Sequence, residues 1–175
     1  MRNWLKYYKP GTEEYRPEYG LYISAIIQRF MRENMVRLID LVGQYTVVSQ
    51  VPSSTRVGPH PLSYIMGGES VFGAPVKDLL QRGDGELGHR IMSDSAFIAT
   101  DVSGERVLLI DDVYTTGAHA QSAASALSDA GAVVPAILVV ARRINPDFNI
   151  TARELWARQQ LIRYDFGTAL RWLRL

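Results

Sequence analysis

The chain has 175 residues, 47% of them apolar and 21% charged, and a formal net charge of +1. That is the make-up of one globular domain, and the near-zero charge excludes a general field for DNA, RNA or an anionic membrane. Cysteine is absent, which excludes disulfides, a thiolate nucleophile and cysteine-held zinc.

The opening run Met1-Arg2-Asn3-Trp4-Leu5-Lys6-Tyr7-Tyr8-Lys9-Pro10 has no apolar stretch of the kind a signal peptide needs, and no segment is long enough to span a bilayer. A cytoplasmic location is therefore expected, with the sequon Asn149-Ile150-Thr151 an accident of composition. From about 19 to 42, Ile23, Ile27, Met31, Met35, Leu38 and Val42 recur at helical steps while Gln28, Arg29, Arg32, Glu33 and Arg37 fall elsewhere. This predicts an amphipathic helix ended by Gly43. The β-branched run 45–51 predicts a strand stopped by Pro52. A loop over 53–61 and a short helix over 60–66 follow.

The stretch 70–95 is the least regular, with one short strand expected near 75–79 and the glycine-rich Gly83-Asp84-Gly85-Glu86-Leu87-Gly88 after it. Strand character returns at 96–100. Val107-Leu108-Leu109-Ile110 is a continuous apolar run, as in a strand buried on both faces of a parallel sheet. A helix over about 116–130, rich in alanine and closed by Gly131, and a second buried strand over 132–140 complete a βαβ unit. The segment 151–160 reads as helix and the tail to 175 as amphipathic, with Phe166, Leu170 and Trp172. The whole is an α/β domain in which the chain ends form a small cap.

Two adjacent carboxylates, Asp111 and Asp112, end the apolar run, and Tyr114-Thr115-Thr116-Gly117 then leads into a helix. In open α/β sheets ligands bind at that edge. The free amides of a helix start favour phosphate, and Gly117 permits close backbone approach. Carboxylates repel phosphate but accept hydrogen bonds from neighbouring hydroxyls. Donors for phosphate beside acceptors for hydroxyls point to a sugar phosphate. As a plain strand end with a threonine helix cap, the same stretch would need one acid and one threonine. Side chains alternate along a strand, so one of two adjacent acids must face inward, which is costly without a partner.

The twelve residues 107–118 resemble the phosphoribosyl pyrophosphate signature of type I phosphoribosyltransferases, with greater likeness to the ComF-like group, here without its zinc ribbon. The likeness covers about 20–142, including the strand and loop over 48–58. It implies a parallel-sheet, Rossmann-like three-layer fold over one domain, 1–175, whose core is about 20–142 and whose hood is built from 1–19 and 143–175. It implies that Asp111 and Asp112 bind the ribose hydroxyls and that Asp111, Asp112 and Arg56 serve catalysis. Val113, Tyr114, Thr115, Thr116, Gly117, Ala118 and His119 would surround the 5-phosphate; Ser53, Ser54, Thr55 and Arg56 would face the pyrophosphate. Mg2+ would be held mainly by substrate oxygens and water. Lys77, Arg82, His89 and Arg90 are candidates to reach the pyrophosphate from a closing loop over 70–95, and equally ordinary surface charges. His119 stands where many relatives carry a hydroxyl residue, and Arg56 where a lysine often lies one or two positions earlier.

The glycine-rich run matches G-x-G-x-x-G, but no apolar strand precedes it and Asp84 and Glu86 would repel a diphosphate, so a dinucleotide site is rejected. His60, His89 and His119 lack metal-ligand spacing. Arg142-Arg143 after the last strand reads first as a surface pair and second as an approach to an anion. The aromatics Trp4, Tyr7, Tyr8, Tyr15, Trp156 and Trp172 are open to an acceptor pocket, a homodimer contact or plain packing. The expected activity is transfer of phosphoribosyl to an unidentified, nitrogenous acceptor with release of pyrophosphate. The alternatives are a non-catalytic regulator that senses the same ligand and a scaffold that retains only the fold.

Overall fold

The structure is a computed structural model that describes residues 2–11, 13–53, 61–66, 68–86 and 93–170. Its elements in chain order are α1 (Arg2–Tyr7), α2 (Pro17–Val42), β1 (Val47–Gln50), α3 (Pro61–Ile65), α4 (Glu69–Phe72), β2 (Leu80–Arg82), β3 (Phe97–Ala99), β4 (Arg106–Tyr114), α5 (Ala118–Asp129), β5 (Val133–Arg142), α6 (Ile150–Leu161) and a 3-10 turn at Phe166–Thr168. The architecture is α/β around a parallel sheet. In order, β1 pairs with β4 and β4 with β5, all parallel. Val76 adds a parallel bridge to Val48 on the outer edge of β1.

Helix α2 begins on Pro17, a residue pre-set for a first helical position, and ends at Gly43, whose φ of 78° suits glycine. The Arg106 guanidinium, delivered from β4, donates to the Val42 and Gln44 carbonyls at 2.8 and 2.6 Å, so the last turn of α2 is capped by a cation. Its predicted stripe is the buried one: Ile23, Ile27, Met31 and Leu38 are buried, each contributing roughly 1.5–3 kcal/mol. Asn34 lies in the same stripe and is also buried. Its amide donates to the Phe30 and Phe166 carbonyls at 3.0 and 2.8 Å, tying the C-terminal segment to α2.

Alternation along β4 divides the core in two. Leu108 and Ile110 pack with Ile23, Met31 and Leu62 on the α2 face, whereas Val107 and Leu109 pack with Ala120, Ala123 and Leu127 on the α5 face. The sheet is therefore the middle of three layers, as the sequence predicts. The alanines of α5 let that helix lie close. Gly131, at φ 89° just beyond the helix, closes it with the Ala132 amide bonded to the Leu127 carbonyl.

Several expectations are corrected. β4 runs on through both aspartates to Tyr114, because Asp111, Val113 and Tyr114 stay in register with Val139, Ala141 and Arg142 of β5. Helix α5 accordingly starts at Ala118, two residues later than expected. The strand expected near 75–79 is the Val76 bridge; a separate strand, β2, follows and pairs antiparallel with β3. β5 is half-buried instead of buried on both faces, since it is the last strand of the sheet among the described residues. Helix α6 is present, capped by Asn149 accepting from the Ala152 amide at 2.8 Å, but buries none of its residues. Among the described residues no helix is long and apolar enough to cross a membrane.

Candidate functional site

The end of β4, the turn after it and the first turn of α5 enclose a pocket of about 90 Å3, lined by Asp111, Thr115, Thr116, Gly117, Ala118 and His119 among others. The elements explain who is present. Asp111 shares the parity of Val107 and Leu109, so it projects to the α5 face, where the helix begins. Gly117 is the N-cap residue, with φ 88°, and its carbonyl accepts the Gln121 amide at 2.8 Å. The preceding amides of the turn have no acceptor one helical turn back. The Ala118 amide finds the Thr116 hydroxyl at 3.4 Å. The helix start, the two threonines and the Asp111 carboxylate thus line one pocket.

Asp112 has the parity of Leu108 and Ile110 and therefore lies on the α2 face. It is 6% exposed. There the N-terminal segment meets it: the buried Tyr8 hydroxyl donates to Asp112 Oδ2 at 3.1 Å, and Lys9 Nζ lies 2.5 Å from the same oxygen. The two acids thus sit in one strand but in different company. Among the described residues Asp111 has no cation within salt-bridge distance; its Oδ1 accepts the Asp112 amide at 2.8 Å. Burial first, and then the charge of Asp112, raise its pKa from 3.8 to about 7, against the smaller opposing pull of that hydrogen bond and of Lys9. Burial and the neighbouring charge therefore favour the protonated form of Asp111.

Gly117 is tied to its neighbour Tyr114. A Cβ placed on Gly117 would stand 2.3 Å from Tyr114 Oη and 2.5 Å from its Cζ, so the ring lies over the glycine. Gly117→Ala is expected to lower the melting temperature by several degrees. The left-handed φ alone costs about 1–2 kcal/mol, and each kcal/mol moves a domain of this size by about 2–4 °C. Adding Tyr114→Ala should relieve the steric part only. A thermal melt of the single and double variants checks this, and an unchanged melting temperature for the single variant refutes it.

The other predicted residues are more dispersed. Ser53 follows β1, partly buried, while Ser54, Thr55, Arg56, His60, His89, Arg90 and Trp172 lie outside the described residues. Lys77 is exposed, its backbone amide bonded to the Val48 carbonyl at 2.9 Å, and it lines neither of the two cavities near β4 and β5. Arg82 turns back onto its own hairpin, donating to the Gly85 carbonyl at 2.6 Å and to the Ala96 carbonyl. Gly83 and Gly85 serve the same hairpin. A Cβ on either would fall within 2.3–2.4 Å of Ser95 or Ser93, so the glycines answer a close approach of two chains. Lys9 is a residue of the site that sequence reasoning missed, and Tyr8, expected only as an acceptor-pocket, dimer or packing aromatic, proves to be a partner of Asp112. They lie about a hundred positions from the acids, and no local pattern marks such a partner.

A second, larger cleft of about 610 Å3 adjoins the turn, with Thr115 and Thr116 common to both, and extends to Arg142, Arg143 and α6.

Fold and site together define an α/β protein with a threonine-bearing strand-to-helix turn and an acid pair at the carboxyl edge of a parallel sheet. The chain shares partial likenesses with known proteins. A segment of 41 residues is 44% identical to a hypoxanthine/guanine phosphoribosyltransferase of Methanohalobium evestigatum, covering 23% of this chain and 22% of that one. Among solved structures the chain is similar to adenine phosphoribosyltransferase of Saccharomyces cerevisiae, at 14% identity over 74% of this chain and 73% of that one, TM-score 0.47. It is also similar to the adenine enzyme of Leishmania tarentolae, at 17% identity over 91% and 69%, TM-score 0.47. No family model matches the chain.

Proposed function

We propose that the protein binds 5-phospho-α-D-ribose 1-diphosphate and transfers its phosphoribosyl group to a nitrogenous acceptor, releasing pyrophosphate. The observation that carries this is the single turn between β4 and α5, where Asp111, Thr115, Thr116 and the amides at the start of α5 converge on one pocket. In this reading the turn amides and threonine hydroxyls take the 5-phosphate, and the acid pair takes the ribose hydroxyls. The reaction develops positive charge at the anomeric carbon, which a nearby carboxylate favours. Arg56, with Ser53, Ser54 and Thr55, is assigned to the departing pyrophosphate from the sequence likeness alone. The ComF-like affinity, the hood made by the two chain ends and a cytoplasmic place belong to the same proposal.

Mg2+ fits the site as a companion of the substrate. Among the described residues no group of three or more acidic, His or Cys side chains could hold a metal ion. Asp111 alone of the acid pair lines the turn pocket. Magnesium keeps phosphate and water oxygens readily, so the ion would arrive with the diphosphate and neutralise it as it leaves. What the chain itself supplies is orientation.

One observation favours the second reading, a sensor that binds the same ligand without turnover. Tyr8 and Lys9 already occupy Asp112 Oδ2, and a sugar hydroxyl must share or displace them. The two readings part on one experiment. A rise in melting temperature with phosphoribosyl pyrophosphate and Mg2+ is expected under both; pyrophosphate release with a panel of bases and amines is expected only under the first. Asp112→Asn keeps an acceptor for Tyr8 but loses the charge, and should weaken binding of the sugar diphosphate by about tenfold or more, since hydrogen bonds to charged groups are worth about 1.5–3 kcal/mol. Unchanged affinity by calorimetry would remove Asp112 from the site and, with it, the assignment of the acid pair to the ribose hydroxyls.

A further inference from the structure

The larger cleft carries a chemistry that the turn pocket does not. It lies between the end of β5 and the first turns of α6, and its lining includes Arg142, Arg143, Phe148 and Leu155 together with Thr115 and Thr116. No Asp or Glu is among its lining residues. Successive residues of a strand point to opposite faces. Arg142 ends β5, opposite Tyr114 in register, and the Arg143 amide still bonds to the Tyr114 carbonyl at 2.8 Å. Both arginines nonetheless line one cleft, Arg143 standing one residue past the end of the strand.

Neither arginine has a carboxylate within salt-bridge distance among the described residues, where the ion pairs are Lys9–Asp112 and Arg29–Glu33. The Arg142 guanidinium stands 5.9 Å over the Tyr114 ring, which holds it near the mouth of the turn. The N-terminus of α6 is already capped by Asn149 and supplies no further argument. Opposite the arginines, Phe148, Leu155 and Ile144 offer apolar surface. A concave site with two positive charges, no negative ones and an apolar wall is complementary to a flat ring that bears an anionic group.

We infer that this cleft binds a small planar organic anion, its carboxylate or phosphate paired with Arg142 and Arg143 and its ring against Phe148 and Leu155. The inference stands on the cleft and does not require the sugar-diphosphate reading. If that reading holds, the shared Thr115 and Thr116 put the occupant beside the phosphoribosyl group, as its acceptor or as an effector.

The test is calorimetric titration of the full chain with nicotinate, orotate and phenyl phosphate, against the neutral nicotinamide and uracil. The charged probes are expected to bind at least about tenfold more tightly than their neutral counterparts. Arg142→Gln/Arg143→Gln, two exposed positions whose fold is checked by an unaltered melting curve, is expected to abolish that preference. The melting-temperature rise with phosphoribosyl pyrophosphate and Mg2+ should persist in this variant; its absence from wild type as well would count against the turn pocket and leave the cleft standing. Neutral probes binding as tightly as charged ones, or a preference that survives loss of both arginines, overturns the inference. So does failure of every charged probe to bind at millimolar concentration. Pyrophosphate release with a bound probe identifies an acceptor, and binding without release an effector; either outcome upholds the anion site.

Discussion

Raising the pH from 5 to 8.5 is expected to destabilise this protein, and Asp111→Asn is expected to remove most of that loss. Asp111 has a folded-state pKa of about 7 against 3.8 in the ordinary state. In that interval the native chain binds a proton that the unfolded chain does not, so stability falls with rising pH. The contribution is fully present below the unfolded value and is lost as the pH passes through the folded one. A shift of this size corresponds to a few kcal/mol, or on the order of 5–10 °C in melting temperature. Asparagine retains a carbonyl oxygen to accept the Asp112 amide now bonded at 2.8 Å, while the charge disappears. The variant should match wild type at pH 5 and melt several degrees above it at pH 8.5. Equal slopes of melting temperature against pH for the two proteins would show that Asp111 does not carry the proton. The same arithmetic bears on the site, because a hydroxyl-bearing ligand that prefers the ionised pair must displace that proton and should bind better above pH 7 than below it.

Leu109→Ala is expected to produce the largest loss of stability among single apolar truncations in the sheet. Leu109 is fully buried in the central strand and packs in the cluster that includes Ala120, Ala123 and Leu127 of α5. Alanine cannot fill that space, and α5 cannot move inward freely because β4 and β5 hold it from below. Removal of a buried leucine side chain costs about 2–5 kcal/mol, or roughly 10 °C here. Val133→Ala, at a position 50% exposed, is the matched control and should change little. Denaturant unfolding of both variants measures the difference. Leu109 also lies two residues before Asp111 on the same face, so its loss should loosen the turn and weaken ligand binding beyond the effect on global stability.

The local order of this protein is written plainly in its residues. The spacing of Ile23, Ile27, Met31 and Leu38 marks the buried face of α2, and the run of four apolar residues before Asp111 marks the central strand. Gly117 and Gly131 mark the bends on either side of α5, at φ 88° and 89°. The βαβ unit and the anion-receptive turn follow from these, because periodicity, helix caps and positive φ are properties of neighbours in the chain. The boundaries were less legible. β4 continues through both aspartates because β5 supplies register partners as far as Arg142, and pairing across a sheet has no local signature.

The residues alone therefore determined that a strand carrying two carboxylates would run into a helix at a glycine. Only the tertiary structure decided how the two acids differ. Strand alternation turns Asp111 to the α5 face and Asp112 to the α2 face, and the packing of α1 on α2 then brings Tyr8 and Lys9 to Asp112 alone. Arg142 and Arg143 show the same division: the sequence places them at the end of a strand, but only the folded chain gathers both with residues of α6 in one cleft. A side chain's type and its place in a repeat are local facts, whereas its partner is set by where the rest of the chain comes to lie.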